Sequence, residues 1–295
     1  MTEERRTAKK IKREQQVKRQ KKILAIIATC IVTVLFIYRL VSDDKKTDNN
    51  TVSANSTEVK TEKEVPGILG IPEKEETTEE KVERVRKEAM EAGYPEGVIE
   101  LLSKNTETVE FVEKYGVNKD KDPAQEITEL KDGEIPQLLQ WDERWGYAPY
   151  GTSIVAVSGC GPTCLSMVVS GLTGDKTLTP AKMAEYGTEH HYINEDNDTY
   201  WIFMSEAGDE WGIKSREKML DEEDLKKELL KGNPVICSVG PGDFTQIGHF
   251  IVLAGYEDGK VIVYDPFSQK NSDKRWVYDK FKDQIKSMWT YSLDE

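Results

Sequence analysis

The segment SGCGPTC places Cys160 between two glycines and shortly before a proline, Pro162. Proline is tolerated in the first turn of a helix, so the pattern predicts a helix over about 161–172 that begins beside this cysteine. A thiol at a helix N-terminus lies at the positive end of the helix dipole, which favours the nucleophilic thiolate. Gly159 and Gly161 are expected to let the backbone of a bound molecule approach. Cys160 is therefore a candidate nucleophile, against the alternative of a buried structural thiol.

A histidine and an aspartate follow on two predicted strands, where His249 opens one apolar run and Asp265 follows the next. If the turn between these strands is Asp258-Gly259 alone, the two side chains point to opposite faces of the hairpin. If the loop is the three residues 257–259 with a bulge, they share a face on a diagonal of ~7–8 Å. We therefore predict the three-residue loop, which lets Asp265 orient the imidazole of His249.

The other cysteines and histidines fit structural roles. Three of the four cysteines lie after residue 41, and an odd number leaves at least one thiol free. Cys164 lies one helical turn after Cys160, and Cys237 lies in an apolar strand, so both are predicted to be buried. His190 and His191 lie in a polar stretch and are predicted to be loop residues. Because no CxxC pair or suitably spaced histidine set accompanies them, we expect no metal site and no cofactor.

The elements that must position these residues follow from the apolar periodicity. Helices are predicted at about 161–172, 179–187, 199–211 and 221–231, and strands at 234–239, 249–256 and 260–264. A helix followed by antiparallel strands is an α+β arrangement. All six tryptophans and all three histidines lie after residue 140, so the folded core is predicted over 133–295.

Two other regions precede this core. Residues 79–120 predict a small helical region of three short helices, with Gly93 and Pro95 separating the first two. Residues 42–78 contain no aromatic residue and few apolar ones, so they cannot bury enough surface to fold. We predict that they form a flexible stalk.

The formal net charge of −13 is divided unevenly along the chain. Ten of the 41 Lys and Arg and three of the 54 Asp and Glu lie in residues 1–22, which carry +7 and leave −20 for the rest. The acidic remainder argues against a nucleic-acid partner, because the phosphate backbone requires an excess of Lys and Arg. The basic residues 1–22 are predicted to form a cytoplasmic tail.

Residues 23–41 predict a single transmembrane helix. The segment is apolar apart from Thr29, Thr33 and Arg39, and as a helix it would be about 28 Å long, close to the ~30 Å core of a bilayer. The basic residues before it place the N-terminus in the cytoplasm. No small-residue cleavage site follows, which disfavours a cleaved signal peptide. We therefore expect a single-pass plasma-membrane protein with an extracytoplasmic C-terminal domain.

The segments GCGPTC, GHFIVL and YDP together resemble the papain-like cysteine peptidases, specifically the C-39-like family, whose best-known members cut double-glycine leaders of exported peptides. The segment IPQLLQWDERWGYAPYG resembles the start of that domain, so the resemblance covers about residues 133–295. It implies a papain-like α+β fold with the cysteine on an N-terminal helix and the histidine and aspartate on an antiparallel sheet. Cys160 would be the nucleophile, His249 the general base and acid, and Asp265 the orienting residue.

The resemblance also implies a glutamine that stabilises the oxyanion, a few residues before the cysteine. That position, around Ile154, holds no glutamine here. Gln140, in its PxxxQ context, is the best match, and Gln137 is the runner-up. The backbone N–H of Cys160 can supply another donor.

The function implied by this resemblance is a membrane-anchored, extracytoplasmic thiol peptidase that cleaves a peptide or isopeptide bond in a peptide or protein substrate. The sequence contains no GxxxxGK[ST] nucleotide-binding pattern, so export-coupled leader processing is not implied. A cell-wall amide hydrolase is an alternative that suits the outside location. A catalytically inactive papain-like binding module is another, motivated by the missing glutamine near Cys160.

Overall fold

The computed structural model describes residues 76–293. The predicted basic tail at 1–22 and the predicted membrane segment at 23–41 lie outside the described residues, as does nearly all of the predicted stalk at 42–78. Within the described residues, no helix combines the length and apolar character needed to cross a membrane.

A group of short helices opens the described part of the chain. These elements are α1 (Thr78–Glu91), α2 (Glu96–Lys104), a 3-10 turn (Thr106–Thr108), α3 (Val109–Glu113) and α4 (Tyr115–Asn118). Helix α1 begins with a capping box, in which the Thr77 hydroxyl and the Glu80 carboxylate each accept from the other residue's backbone N–H. The apolar faces of the helices pack in one cluster with Tyr147 and Ala156. The helical region is therefore joined to the rest of the protein by a shared core.

The residues that follow form an α+β unit. Its elements in chain order are β1 (Pro149–Tyr150), β2 (Ser153–Ile154), α5 (Val155–Ser158), α6 (Cys160–Thr173), α7 (Pro180–Glu189), α8 (Trp201–Glu206), a 3-10 turn (Ala207–Trp211), β3 (Ile213–Glu217), α9 (Glu222–Leu230), β4 (Val235–Val239), β5 (His249–Glu257), β6 (Lys260–Tyr264), α10 (Gln269–Ser272), β7 (Arg275–Trp276), α11 (Tyr278–Phe281), a 3-10 turn (Lys282–Gln284) and β8 (Ile285–Leu293). Strands β1 and β2 form a small antiparallel pair. The other six form one sheet in the order β3-β8-β4-β5-β6-β7, in which every neighbouring pair is antiparallel.

Both faces of this sheet are covered. Successive side chains of a strand point to opposite faces, and along β4 Ile236 belongs to one apolar cluster whereas Val235 and Cys237 belong to another. The first cluster contains the buried side of α6, including Leu165, and the second contains Leu225 of α9. Helix α6 is thus fixed against the centre of the sheet, beside the strand that begins at His249.

The structure confirms the predicted helices α6, α7 and α9 and the predicted strands β4, β5 and β6. The helix predicted over 199–211 is instead a short α-helix, α8, followed by a 3-10 turn. Strands β1, β2, β3, β7 and β8 were not predicted. The largest omission is β8, a nine-residue strand that lies inside the sheet between β3 and β4.

Candidate active site

The N-terminus of α6 presents Cys160. The helix begins at this cysteine, and the residue is only partly buried. The flanking glycines also have a packing role. A Cβ on Gly159 would lie 2.5 Å from the carbonyl oxygen of Val155, and one on Gly161 would lie 2.7 Å from Thr199. These glycines permit close packing around the helix start, which fixes the position of the thiol.

His249 and Asp265 lie in hydrogen-bond contact. His249 Nε2 is 2.8 Å from Asp265 Oδ1, and both side chains are largely buried, with 9% and 1% exposure. The prediction that His249 and Asp265 share one face of the hairpin is therefore confirmed. The prediction that a three-residue loop places them there is wrong.

The turn between β5 and β6 has two residues, and Glu257 pairs with Lys260. Asp258 and Gly259 both have positive φ, of 49° and 76°, as a two-residue hairpin turn requires. The extra residue is Ala254, because Leu253 pairs with Val263 whereas Gly255 pairs with Ile262. A β-bulge in the strand shifts the register by one residue and reverses the face that each later side chain takes. The bulge, rather than the loop, brings His249 and Asp265 to one face.

Cys160 lies near enough to His249 to affect the ionisation of its ring. Because Asp265 engages Nε2, Nδ1 is the ring nitrogen that remains for the thiol. Burial lowers the pKa of His249, but the charge of Asp265, its hydrogen bond and the interaction with Cys160 outweigh burial and raise the pKa to about 10. The imidazole is therefore protonated at neutral pH, with a carboxylate on one side and a sulfur on the other.

Asp265 is held by its own short loop. Its Oδ1 accepts from the backbone N–H of Phe267 at 2.9 Å, and its Oδ2 accepts from Asn271 Nδ2 at 2.8 Å. Burial raises the pKa of Asp265, but the charge and hydrogen bond of His249 and the bonds from Asn271 and Phe267 hold it below its usual range. Asp265 is therefore an ionised, oriented carboxylate. Sequence reasoning missed Asn271, whose only signal was an amide side chain six residues after the aspartate.

Gln140 is buried next to the turn that precedes Cys160. Its side chain is 2% exposed, and its Nε2 donates to the carbonyl oxygen of Ala156 at 2.8 Å, four residues before the cysteine. Its backbone N–H donates to the carbonyl oxygen of Pro266, beside Asp265. An amide nitrogen has two hydrogens, so this contact leaves one for another acceptor. Gln137, the runner-up, is partly exposed.

The remaining candidates lie in structural positions. Cys164 and Cys237 are fully buried free thiols, and burial raises the pKa of both well above the usual range. His190 and His191 lie in the exposed turn after α7. Among residues 76–293, no group of three or more His, Cys, Asp or Glu side chains is arranged to hold a metal ion.

The arrangement can carry out thiol-mediated acyl transfer. It consists of a partly buried thiol at a helix start, a protonated imidazole near it and a buried carboxylate that orients the ring, which are the parts of an activated nucleophile.

Two solved structures are similar to this chain. The peptidase domain of Streptococcus ComA, described as a bi-functional ABC transporter involved in a quorum-sensing pathway, shares 20% identity with a TM-score of 0.37, and the match covers 46% of this chain and 92% of that one. A C39-like peptidase from Bacillus anthracis shares 16% identity with a TM-score of 0.36, covering 54% of this chain and 94% of that one. No curated protein matches the chain.

A protein-family model described as the peptidase C39-like family matches residues 133–293, more than half of the chain. The matched segment contains Cys160, His249 and Asp265, and it begins before Gln140. The chain therefore belongs to the peptidase C39-like family.

Proposed function

We propose that this chain is a thiol peptidase that cleaves a peptide or isopeptide bond through Cys160, His249 and Asp265. The observation that carries the proposal is the 2.8 Å hydrogen bond between His249 and the buried Asp265 carboxylate, with Cys160 at the start of α6 near enough to affect the ionisation of the same ring. Membership of the peptidase C39-like family supports the same reaction class.

The proposed reaction has two steps. The Cys160 thiolate attacks the carbonyl carbon of the scissile bond, and the His249 imidazolium gives its proton to the leaving amine, which leaves a thioester on the sulfur. Neutral His249 then takes a proton from water, whose oxygen attacks the thioester carbonyl. The C–S bond breaks, the carboxylic acid product is released, and the Cys160 thiolate and the His249 imidazolium of the starting state are restored. The Cys160 backbone N–H and Gln140 Nε2 are proposed to stabilise the oxyanion formed in each step.

We also propose that the enzyme acts outside the cell, anchored in the plasma membrane by residues 23–41. The support is the apolar length of this segment and the ten basic residues before it. A membrane fraction that releases the chain in alkaline carbonate, without detergent, would contradict this anchor.

Selective alkylation tests the proposed nucleophile. At about pH 6, iodoacetamide is expected to modify Cys160 ahead of Cys164 and Cys237, because those two thiols are buried and their pKa values are raised. Mass spectrometry of the full chain identifies the labelled residue. Cys160→Ala should abolish the label within residues 133–293, and the matched Cys164→Ala variant should keep it. Equal labelling of Cys160, Cys164 and Cys237, or of none of these three, would favour the inactive binding module.

Gln140→Ala is expected to lower the rate of hydrolysis by roughly 10²–10³-fold, the usual effect of losing one oxyanion donor. Gln137→Ala is the matched control and should retain the parent rate. The measurement is kcat/KM on a peptide selected from a library, with thermal unfolding to check that each variant is folded. A larger loss in the Gln137 variant would transfer the role to that residue.

The same library assay, run in parallel with purified peptidoglycan, distinguishes the substrate classes. Release of new peptide termini from the library supports the proposal. Cleavage of peptidoglycan alone would assign the site to a cell-wall amide hydrolase.

A further inference from the structure

The loop that holds Asp265 is contacted by residues from outside the family-matched segment. Residues 266–271 turn back to Asp265 through Phe267 and Asn271. Only four residues of this loop form a helix, α10, and so short a helix has little stability of its own. The position of the loop must therefore be fixed by its neighbours.

Two polar side chains of the helical region provide such contacts. Glu107 accepts at Oε2 from the backbone N–H of Gln269 and at Oε1 from that of Lys270, each at 3.1 Å. Asn105 Nδ2 donates to the carbonyl oxygen of Phe267 at 2.6 Å. The carboxylate thus binds the first two N–H groups of α10, and the amide binds the residue whose own N–H contacts Asp265.

Asn105 and Glu107 also hold each other in place. Asn105 Oδ1 accepts from the Glu107 backbone N–H and caps the 3-10 turn, while Asn105 Nδ2 donates to Glu107 Oε2, both at 3.0 Å. The turn that carries them packs on the apolar cluster shared with Tyr147 and Ala156, with Phe267 against its edge. The pair is therefore preorganised on a rigid support rather than collected by a flexible loop.

We infer that Glu107 and Asn105 are positioning residues that fix the 267–271 loop and thereby hold Asp265 against His249. The inference rests on the proposed function, since that function gives Asp265 its role as orienter. It extends the catalytic unit of this chain beyond residues 133–293 to the helical region at 78–118. The connection runs through one further contact, because the Phe267 ring meets the His249 ring edge-on at 6.4 Å between centroids.

The experiment compares the parent chain with Glu107→Gln and with the matched control Glu100→Gln. Glu100 is an exposed carboxylate of the same helical region that pairs with Lys104 rather than with the loop. The full 295-residue chain, labelled at its three histidines, reports the protonation of the His249 ring by NMR as pH is varied. Iodoacetamide labelling of Cys160, followed as a function of pH, reports reactivity in the same samples.

In Glu107→Gln, the His249 ring is expected to bind its proton roughly tenfold less tightly, because a displaced Asp265 stabilises the imidazolium less. Cys160 labelling at neutral pH should slow by about the same factor, and its rise with pH should move to higher pH. Glu100→Gln should match the parent in both readouts. A merely structural role for Glu107 would lower the unfolding temperature without changing either profile.

Asn105→Ser provides a second variant. Serine retains an oxygen to cap the 3-10 turn but loses the donor to Phe267, so the same changes are expected with less effect on folding. A His249 titration that is identical in the parent, Glu107→Gln and Asn105→Ser would overturn the inference. A parent chain whose Cys160 shows no selective labelling would instead overturn the proposed function, while the titration would still decide whether Glu107 positions the pair.

Discussion

His249→Ala is expected to lower kcat/KM for peptide hydrolysis by roughly 10⁴- to 10⁶-fold, the range seen when one member of a nucleophilic triad is removed. The imidazole is hydrogen-bonded to Asp265, and Cys160 is among the groups that raise the pKa of the ring. Its loss removes both the proton that the leaving amine receives and the positive charge that favours the thiolate. The measurement is kcat/KM on the selected peptide with the full chain.

His190→Ala is the matched control, because that ring lies in the exposed turn after α7. It should retain the parent rate. If kcat/KM falls by less than about tenfold in the His249 variant, the loss is no larger than that of a single weak contact. Such a result would contradict the proposed role of His249 as general base and acid.

The same variant tests the charge of the ring. The pKa of His249 is raised from 6.5 to about 10 in the folded protein, so the stabilisation from its protonated form is complete below about pH 6.5. That stabilisation is lost as the pH rises toward 10. The difference in unfolding free energy between the parent and His249→Ala should therefore shrink between pH 7 and pH 10. A difference that stays constant over this range would mean that the folded ring is neutral.

The site residues could be predicted because each stands in an informative local context. A cysteine two residues before a proline marks a helix start, a histidine that opens an apolar run marks the start of a strand, and an aspartate that follows such a run marks the end of one. Such contexts depend on a few neighbours along the chain. The contacts of Asn105 and Glu107 with the Asp265 loop join residues more than 160 positions apart, so local patterns contain no trace of them.

The hairpin shows a different limit. Sequence reasoning identified correctly that one extra residue is needed for His249 and Asp265 to share a face, but it placed that residue in the turn. The dipeptide Asp258-Gly259 forms a two-residue turn, and the extra residue is Ala254 within β5. A bulge depends on packing against the rest of the sheet, so its position along a strand of apolar residues is not visible in their order.

Strand β8 could not be predicted because it is buried on both faces. Met288 belongs to the cluster on one side of the sheet, whereas Trp289 and Tyr291 belong to the cluster on the other. Ser287 and Thr290 are buried too, so no alternation of polar and apolar residues marks the strand. Doubly covered strands lose the period of two that identifies a strand with one face in water.

A substitution in the buried strand β8 is expected to have the second large effect, a loss of free energy of unfolding. Trp289 is fully buried, meets Trp201 edge-on at 5.8 Å between ring centroids, and donates from Nε1 to Ser205 Oγ at 3.0 Å. Trp289→Ala should lower the free energy of unfolding by about 3–5 kcal/mol, because the cavity adds to the lost burial. The free energy of unfolding of a native protein is about 5–15 kcal/mol in total, so the variant should unfold at a much lower urea concentration than the parent.

Leu293→Ala is the matched control, since Leu293 lies at the end of the same strand and is 53% exposed. Its unfolding free energy should stay within about 0.5 kcal/mol of the parent value, as for most surface changes. Equal losses in the two variants would mean that β8 is not held in the interior of the sheet. Because β8 separates β3 from β4, and β4 in turn pairs with the strand that carries His249, a displaced β8 would also make β4, the neighbour of that strand, an edge strand.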